Sequence, residues 1–423
     1  MGSIPTPGTS FMINSQFVFK GCDSNLEKGK ILFCFGFRGE KNIDFTERIS
    51  FPQITNNKLP TNLLKSLLDN IMLILGISYW KLYCPEEIII KDNFLTKEQA
   101  KFWDTIYTKG MGEFFYKNKI DYRGLVHFPF VENAQGSTSF PRKERVLLGL
   151  GGGKDSIVVA EKLKEESKDF DLFTIGISEI QKKAAQALEK NPIIIKRELD
   201  AKLFALNREK DIYNGHIPIS AIYAFLGLMA SFFYDYSQVI VGNEKSANSG
   251  NMKYLGEMIN HQWSKSEEFE KLFNKYVRKF ITPDITYSSP LRDMSELEVV
   301  REFVKYPKYF KVFSSCNNNF KISPSASLRT NPQRIWCRKC AKCLFVFICL
   351  AGFLPKEKIL DIFGKNLLDD KSLIPLFEEL IGIRNFKPFE CVGTPEEVKE
   401  ALEKILEKGE FKDSFLVKYY KSL

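Results

Sequence analysis

Three groups of residues in this sequence have the types and spacing to do chemistry. The first is Gly151-Gly152-Gly153-Lys154-Asp155-Ser156, which follows a short apolar run, Arg145–Leu150, and opens a stretch with helical spacing, Ser156–Glu166. Glycines let backbone N–H groups approach an anion closely, and a helix N-terminus adds partial positive charge. The Ser156 hydroxyl and the Lys154 ammonium supply further donors, so the segment is a cradle for phosphate. The second group is Trp336-Cys337-Arg338-Lys339-Cys340-Ala341-Lys342-Cys343, three thiols at three-residue intervals. Two-residue spacers let successive thiolates converge on one tetrahedral ion, and the flanking Arg and Lys favour the thiolate form. A closed site needs a fourth ligand, and Cys316 upstream is the candidate. Cys316, Cys337, Cys340 and Cys343 would then hold a structural zinc. An iron–sulfur cluster, or free thiols on a buried helix, are the alternatives. Cys349 and Cys391 sit in apolar surroundings and belong to the core.

The third group is polar and scattered. Asn243-Glu244-Lys245-Ser246-Ala247 follows an apolar run, Gln238–Val241. In a parallel sheet, ligands bind beyond the carboxyl ends of the strands, so this segment is expected at the same crevice as the glycine loop. Glu244 there could bind magnesium, and Lys245 could neutralise phosphate or carboxylate. Asn260-His261-Gln262-Trp263-Ser264-Lys265-Ser266 is dense in donors. Gly215-His216-Ile217-Pro218 sets a histidine at the entrance of an apolar helix. A satisfied structural histidine is the commoner role for each, and a proton carrier the sharper one.

The elements that must position these groups follow from periodicity. Arg145–Leu150, Leu172–Ile177, Ile193–Lys196 and Gln238–Val241 are apolar runs of strand length. They alternate with helical stretches at Ser156–Glu166, Ala184–Glu189 and Pro218–Tyr234. That alternation implies an α/β fold with parallel strands joined by right-handed crossovers. Ahead of it, residues 11–140 mix β-rich runs such as Ile31–Phe37 with an apolar helix, Leu63–Tyr79, as a small α+β domain does. Glu132–Lys143 is the linker candidate. Residues 141–354 make the nucleotide-binding domain with the cysteines, and 355–423 a region of amphipathic helices. The first ten residues look like a flexible leader, with no targeting pattern.

Composition sets outer bounds. The 423 residues are 44% hydrophobic, enough for a large core. Lys and Arg exceed Asp and Glu by 61 to 52, which favours an anionic ligand without supplying a basic nucleic-acid arm. The runs Ala221–Tyr234 and Cys343–Leu354 fall short of the roughly 20 apolar residues that span a bilayer. Nine cysteines with three crowded together suit a reducing compartment and a metal, so the cytoplasm is expected.

The glycine loop is neither a Walker A loop, which needs Ser or Thr where Asp155 stands, nor a Rossmann fingerprint, which would want glycine at Lys154. It resembles the PP-loop of the ATP pyrophosphatase superfamily (Ser-Gly-Gly-x-Asp-Ser), with Gly151 in place of the first Ser. Within that superfamily one family is similar over nearly the whole chain: UDP-N-acetyl-α-D-muramoyl-L-alanyl-L-glutamate epimerase. The matching pieces are Gly76–Lys81 (GISYWK), Gly151–Ser156, Gly215–Pro218, Asn243–Ala247, Asn260–Ser266 (NHQWSKS), Ser315–Phe320 (SCNNNF), Trp336–Phe347 and Lys387–Gly393 (KPFECVG), in that order.

The resemblance implies a parallel-sheet PP-loop domain of the adenine nucleotide alpha-hydrolase-like class. It also implies ATP with magnesium as cofactors, and inversion of the terminal L-glutamate of a UDP-muramoyl dipeptide for peptidoglycan through a carboxyl-adenylate. On it, Gly151, Gly152, Gly153, Asp155 and Ser156 would hold the ATP phosphates, and Lys154 and Lys245 would stabilise developing charge. His216, Glu244 and His261 become proton-transfer candidates, with Cys316 a fourth only if it is not a metal ligand. The loop and cysteines alone would also fit a nucleobase-modifying PP-loop enzyme, either tRNA-thiolating or deazaguanine nitrile-forming. Against that stand the long front domain and the lack of an aromatic-interleaved basic stripe. A nucleotide-sensing scaffold with a dead loop is disfavoured by Asp155 and Ser156. No nucleic acid or membrane partner is expected.

Overall fold

Alternating phenylalanines build the first sheet. In the strands Gln16–Asn25 and Lys30–Arg38, Phe17, Phe19, Phe33, Phe35 and Phe37 are all fully buried. Antiparallel register sets Phe17 opposite Phe37 and Phe19 opposite Phe35, so one face of the pair is a continuous aromatic surface. Ile43–Ser50 extends the pair antiparallel, and Glu87–Ile90 adds a parallel strand on the other side. Ile193–Glu198 then pairs antiparallel with Ile43–Ser50. The sequence reading expected Ile193–Lys196 as one more parallel strand. On the edge toward Ile43–Ser50 it runs antiparallel, and there Arg197 and Glu47 form a two-pronged buried ion pair, with Arg197 Nε 2.6 Å from Glu47 Oε1.

The computed structural model describes residues 15–40, 42–54, 59–91, 95–132, 136–319 and 335–423. The leader, residues 133–135 of the linker candidate and Phe320 lie outside them. The fold is mixed α/β. By internal packing the chain divides into two units. Met1–Leu147, Ile193–Val239 and Lys253–Ser288 form the first, and Leu148–Pro192, Ile240–Met252 and Ser289–Leu423 the second. The expected boundary at 140 falls inside the first unit and the one at 354 inside the second, and residues 193–239 and 253–288 belong with residues 15–147. The helix Ile219–Tyr234, which starts directly after Pro218, packs on the helix Thr61–Trp80.

Thr61–Trp80 is long and apolar enough to cross a membrane, yet 78% of its apolar window is buried in the fold, so its greasy surface is core. Tyr79 stacks on Phe35 and leans on Phe45, and Trp80 meets Tyr107 edge-on while its indole N–H donates to the Pro85 carbonyl. Gly76, in the middle of this helix, lies against the Phe19 ring: a Cβ there would fall 2.2 Å from Phe19 Cε1. Alanine normally gains about 1 kcal/mol over glycine in a helix. Here Gly76→Ala is expected to destabilise the protein by about 1–3 kcal/mol through overpacking, read as a lowered unfolding midpoint. A neutral or raised midpoint would show that the ring moves aside.

The strand Val146–Gly149 leads through the glycine loop into the helix Lys154–Glu165 of the second unit. The strand Phe170–Ile175 lies beside it, with Leu150 N–H donating to Phe173 O. A capping box on Ser178 and Gln181 starts the next helix, Glu179–Ala187. The C-terminal part carries the helices Glu296–Phe303, Ala341–Ala351, Lys356–Phe363, Ile374–Leu380, Pro395–Lys408 and Phe415–Lys421. Ala341–Ala351 is buried along its whole length and packs on Pro395–Lys408.

Candidate functional site

The glycine loop has the geometry of an anion cradle. Gly152 adopts φ +81°, a left-handed conformation, and a Cβ there would press on Ile180. Gly153 is the N-cap of the helix Lys154–Glu165, so no side chain caps its first turn. The N–H groups of that turn are the donors a helix start leaves without intrahelical partners. A Cβ on Gly242, after the strand Gln238–Ile240, would lie 2.8 Å from the Asp155 carbonyl carbon, so the loop bearing Asn243 and Glu244 passes tightly against the helix start. Ser156 is buried and its hydroxyl donates to Gly153 O at 3.2 Å.

Beneath the loop lies a charge network. Lys154 is fully buried and its ammonium contacts both the Asp155 and Glu296 carboxylates. Burial alone would pull the Lys154 pKa down, but Asp155, Glu296 and Glu244 hold it well above the ordinary lysine range. Lys154 is therefore a fixed cation. Glu296 is buried in turn, and its other oxygen lies 3.7 Å from the Lys342 ammonium. Its backbone N–H donates to Glu397, which also accepts both from Ser246 Oγ and from its own capping partner, Thr394 N. Glu244 is buried, whereas Lys245 is exposed and its charge is felt at Glu298. Lys387 is buried near Glu244; burial lowers its pKa, and its ammonium donates to Ser249 O at 3.2 Å.

The four thiols converge. Cys316, Cys337, Cys340 and Cys343 present their Sγ atoms within 4.8 Å of one another, with Cys337 and Cys343 at 3.7 Å and Cys340 and Cys343 at 3.5 Å. Tetrahedral zinc with Zn–S of about 2.3 Å sets sulfurs about 3.8 Å apart, so the donor set fits a closed four-thiolate ion. Backbone N–H groups of Cys337 and Lys339 point to the sulfurs of Cys316 and Cys337, as outer partners of bound thiolates do. Hydrogen bonding to Cys316, first among the contacts, lowers the Cys337 pKa and raises those of Cys340 and Cys343. Cys340 and Cys343 thus hold their protons more tightly, and all four sulfurs become thiolates together only when a cation shares them.

The thiol site is joined to the glycine loop. Ser314 N–H donates to Gly152 O at 3.0 Å, and Ser314 Oγ donates to Ile335 O and accepts from Cys316 N. A Cβ on Gly153 would fall 2.8 Å from Ser315 Oγ. A second link runs from Lys342, between two of the thiols, through Glu296 to Lys154.

In the first unit, His216 and His261 come together on Glu113. Both turn Nδ1 toward Glu113 Oε2, His216 at 3.3 Å and His261 in closer contact, while Lys117 holds Oε1. The two rings lie 4.6 Å apart between centroids. Burial, helped by His261, pushes the His216 pKa down to about 3. Burial pushes Glu113 up, but the hydrogen bond to His261, the two nearby imidazoles and Lys117 outweigh it and lower the carboxyl to about 2. His127 is exposed and stands apart from this cluster.

Of the sequence candidates, Gly151–Ser156, Glu244, Lys245 and the four cysteines fall in the second unit, and His216 and His261 in the first. Sequence reasoning missed Glu113, Glu296, Lys342 and Glu397. Glu113 and Lys117 have the spacing of a solvent-facing helix pair, and Glu397 that of an ordinary capping box, so neither pattern signalled a second use.

Residues 10–290 match the family model of the MurL N-terminal domain, and residues 312–422 that of the MurL C-terminal domain. Three curated relatives are each called UDP-N-acetyl-alpha-D-muramoyl-L-alanyl-L-glutamate epimerase. The protein from Xanthomonas oryzae pv. oryzae is 34% identical over 411 residues, covering 96% of this chain and 89% of its own. The Micromonospora protein is 34% identical over 411 residues, covering 95% and 89%. The Salinispora tropica protein is 33% identical over 415 residues, covering 95% and 87%.

Proposed function

The chain belongs to the MurL family, and from that premise we propose that it epimerises the terminal L-glutamate of UDP-N-acetyl-α-D-muramoyl-L-alanyl-L-glutamate, in an ATP-dependent reaction in the cytoplasm. The observation that carries this reading is similarity to named epimerases over nearly the full length. The chemistry follows from the difficulty of the step. Removing the α-proton beside a carboxylate makes a poorly stabilised dianion. Attack of the glutamate carboxylate on the α-phosphorus of ATP expels pyrophosphate and leaves a carboxyl-adenylate, whose α-carbon is more acidic. A base then takes the proton from one face, an acid returns one to the other, and water releases AMP and the free acid.

Within this proposal the N–H groups of the glycine loop and the Ser156 hydroxyl hold phosphate, and Lys154 fixes Asp155 and Glu296 beneath it. Asp155 and Glu244 are the carboxylates available to magnesium. The PP-loop assignment is supported by the left-handed Gly152 and the uncapped helix start. The four cysteines are proposed to hold zinc, on the strength of their sulfur spacing. Among the second-unit groups, Glu244 is the proton-transfer residue of this proposal. Lys245, being exposed and near Glu298, is a weaker phosphate partner than the sequence implied. His216 and His261 remain proton-transfer proposals only as a pair acting on one face. Opposed groups each about 3–3.5 Å from the reacting carbon stand about 6–7 Å apart, and rings at 4.6 Å leave no room for a tetrahedral carbon between them. A nucleobase-modifying activity rests on the loop and cysteines alone, and no further observation favours it.

The test supplies ATP, magnesium and the UDP-muramoyl dipeptide, and measures AMP, pyrophosphate and the chirality of glutamate after acid hydrolysis. D-Glutamate with stoichiometric AMP is expected; neither product would end the proposal. Ser156→Ala is expected to slow AMP formation about 10–100-fold, the effect of one lost hydrogen bond to a charged group at about 1.5–3 kcal/mol. An unchanged rate would remove Ser156 from the phosphate site.

A further inference from the structure

We propose that Glu113, His216 and His261 form a zinc site separate from the four thiols, with open coordination positions for water or an anionic oxygen ligand. Three distant stretches of the first unit converge to build it. Glu113 stands in the first turn of the helix Gly112–Asn118, His216 precedes the helix Ile219–Tyr234, and His261 follows the strand Glu257–Ile259. One donor atom from each lies within 4.8 Å of the other two. The Glu113 side chain is 5% exposed and the histidines 15% and 16%, so the set is almost closed but still reachable.

The donor set selects the ion. Two imidazole nitrogens and one carboxylate oxygen suit zinc or a neighbouring transition metal, whereas magnesium and calcium prefer all-oxygen shells. Three protein ligands fall one short of zinc's usual four, which is the pattern of sites that keep a position for a ligand. Outer contacts orient the set. Lys117 occupies Glu113 Oε1 and leaves Oε2 to face both histidines. Asn214, two residues before His216, is clamped by Lys81 at 2.6 Å on its side chain and by Asn118 at 3.1 Å on its carbonyl. Gly215 between them takes φ +149°, a conformation that favours glycine, and donates its N–H to Asn214 Oδ1. Such outer partners commonly shift metal affinity by about 10–100-fold. The competing arrangement is a hydrogen-bonded trio with no ion, and it differs in its response to metal.

Elemental analysis of the full-length protein as purified with zinc decides between them. Wild type is expected to hold one zinc per chain more than Glu113→Gln, His216→Asn or His261→Asn. Metal-free wild type titrated with Co2+ should show visible d–d bands beyond those of thiolate-bound cobalt, and Glu113→Gln should lose these while keeping any thiolate-to-cobalt charge transfer. Circular dichroism identifies variants that have not folded. If all three fail to fold, the wild-type titration still answers: cobalt bands without thiolate character support the site, and their absence overturns it. Equal zinc counts in wild type and folded variants overturn it too.

Discussion

Lys154→Met is expected to cost about 3–5 kcal/mol of stability, the loss seen when one partner of a buried ion pair is removed. Lys154 has no solvent exposure and contacts two carboxylates, one of which, Glu296, is itself buried. Methionine fills much of the same volume, so the loss measures the stranded charges and not a cavity. Urea unfolding followed by tryptophan fluorescence would show it as a lowered midpoint. A second substitution separates pairing from catalysis. Lys154→Met with Glu296→Gln removes both charges and should recover part of the stability, by about 0.5–3 kcal/mol of coupling. AMP formation should stay low in the double variant, since Lys154 opens the helix that follows the proposed phosphate loop. If the double variant is no more stable than the single one, the two side chains do not depend on each other and the network described here is wrong.

That network also marks where the sequence stopped being legible. The strand before the loop, the helix after it and the glycines between them could be placed because each depends on local pattern: an apolar run, a 3.6-residue period, residues without a Cβ. The thiols could be placed because two-residue spacers act over a few positions. Glu296 could not be, since its role depends on Lys342 and Lys154, 46 residues downstream and 142 residues upstream in sequence, and nothing local distinguishes it from Glu298, which takes the capping-box role beside it. Glu397 shows the same limit from the other side. Its local role in the capping box with Thr394 was readable, but the hydrogen bonds from Ser246 and from Glu296 N were not.

The first unit teaches a related lesson about partners. Strand length, composition and the alternation with helices were sufficient to expect Ile193–Lys196 as a strand of a parallel sheet, but silent about a partner on its other edge. The antiparallel pairing with Ile43–Ser50, crossed by the Glu47–Arg197 pair, left no local mark. The histidines were noticed because only three occur in the chain, yet their common carboxylate was hidden by a spacing that usually means a surface pair. Long-range polar contacts, unlike apolar periodicity, leave no repeat in the sequence to find.

The second large effect is expected at the thiols, and it should reach the loop. Cys343 is fully buried and lies closest to two of its partners. If the proposed zinc site is real, Cys343→Ser is expected to lose its ion and to lower thermal stability more than any single surface change, because zinc binding in closed thiolate sites contributes on the order of 10 kcal/mol to the folded form. Zinc released on thiol modification, followed with a colorimetric chelator, should fall by one equivalent per chain in the variant. Cys349→Ala is the matched control: it removes an equally buried thiol outside the cluster and should keep the zinc. The links through Ser314 to Gly152 and through Lys342 to Glu296 then make a stronger demand. Loss of the ion should slow AMP formation by at least tenfold even at temperatures where the variant remains folded. A Cys343→Ser protein that lacks zinc yet forms AMP at the wild-type rate would show that the thiols stabilise only their own segment and that the loop holds its shape without them.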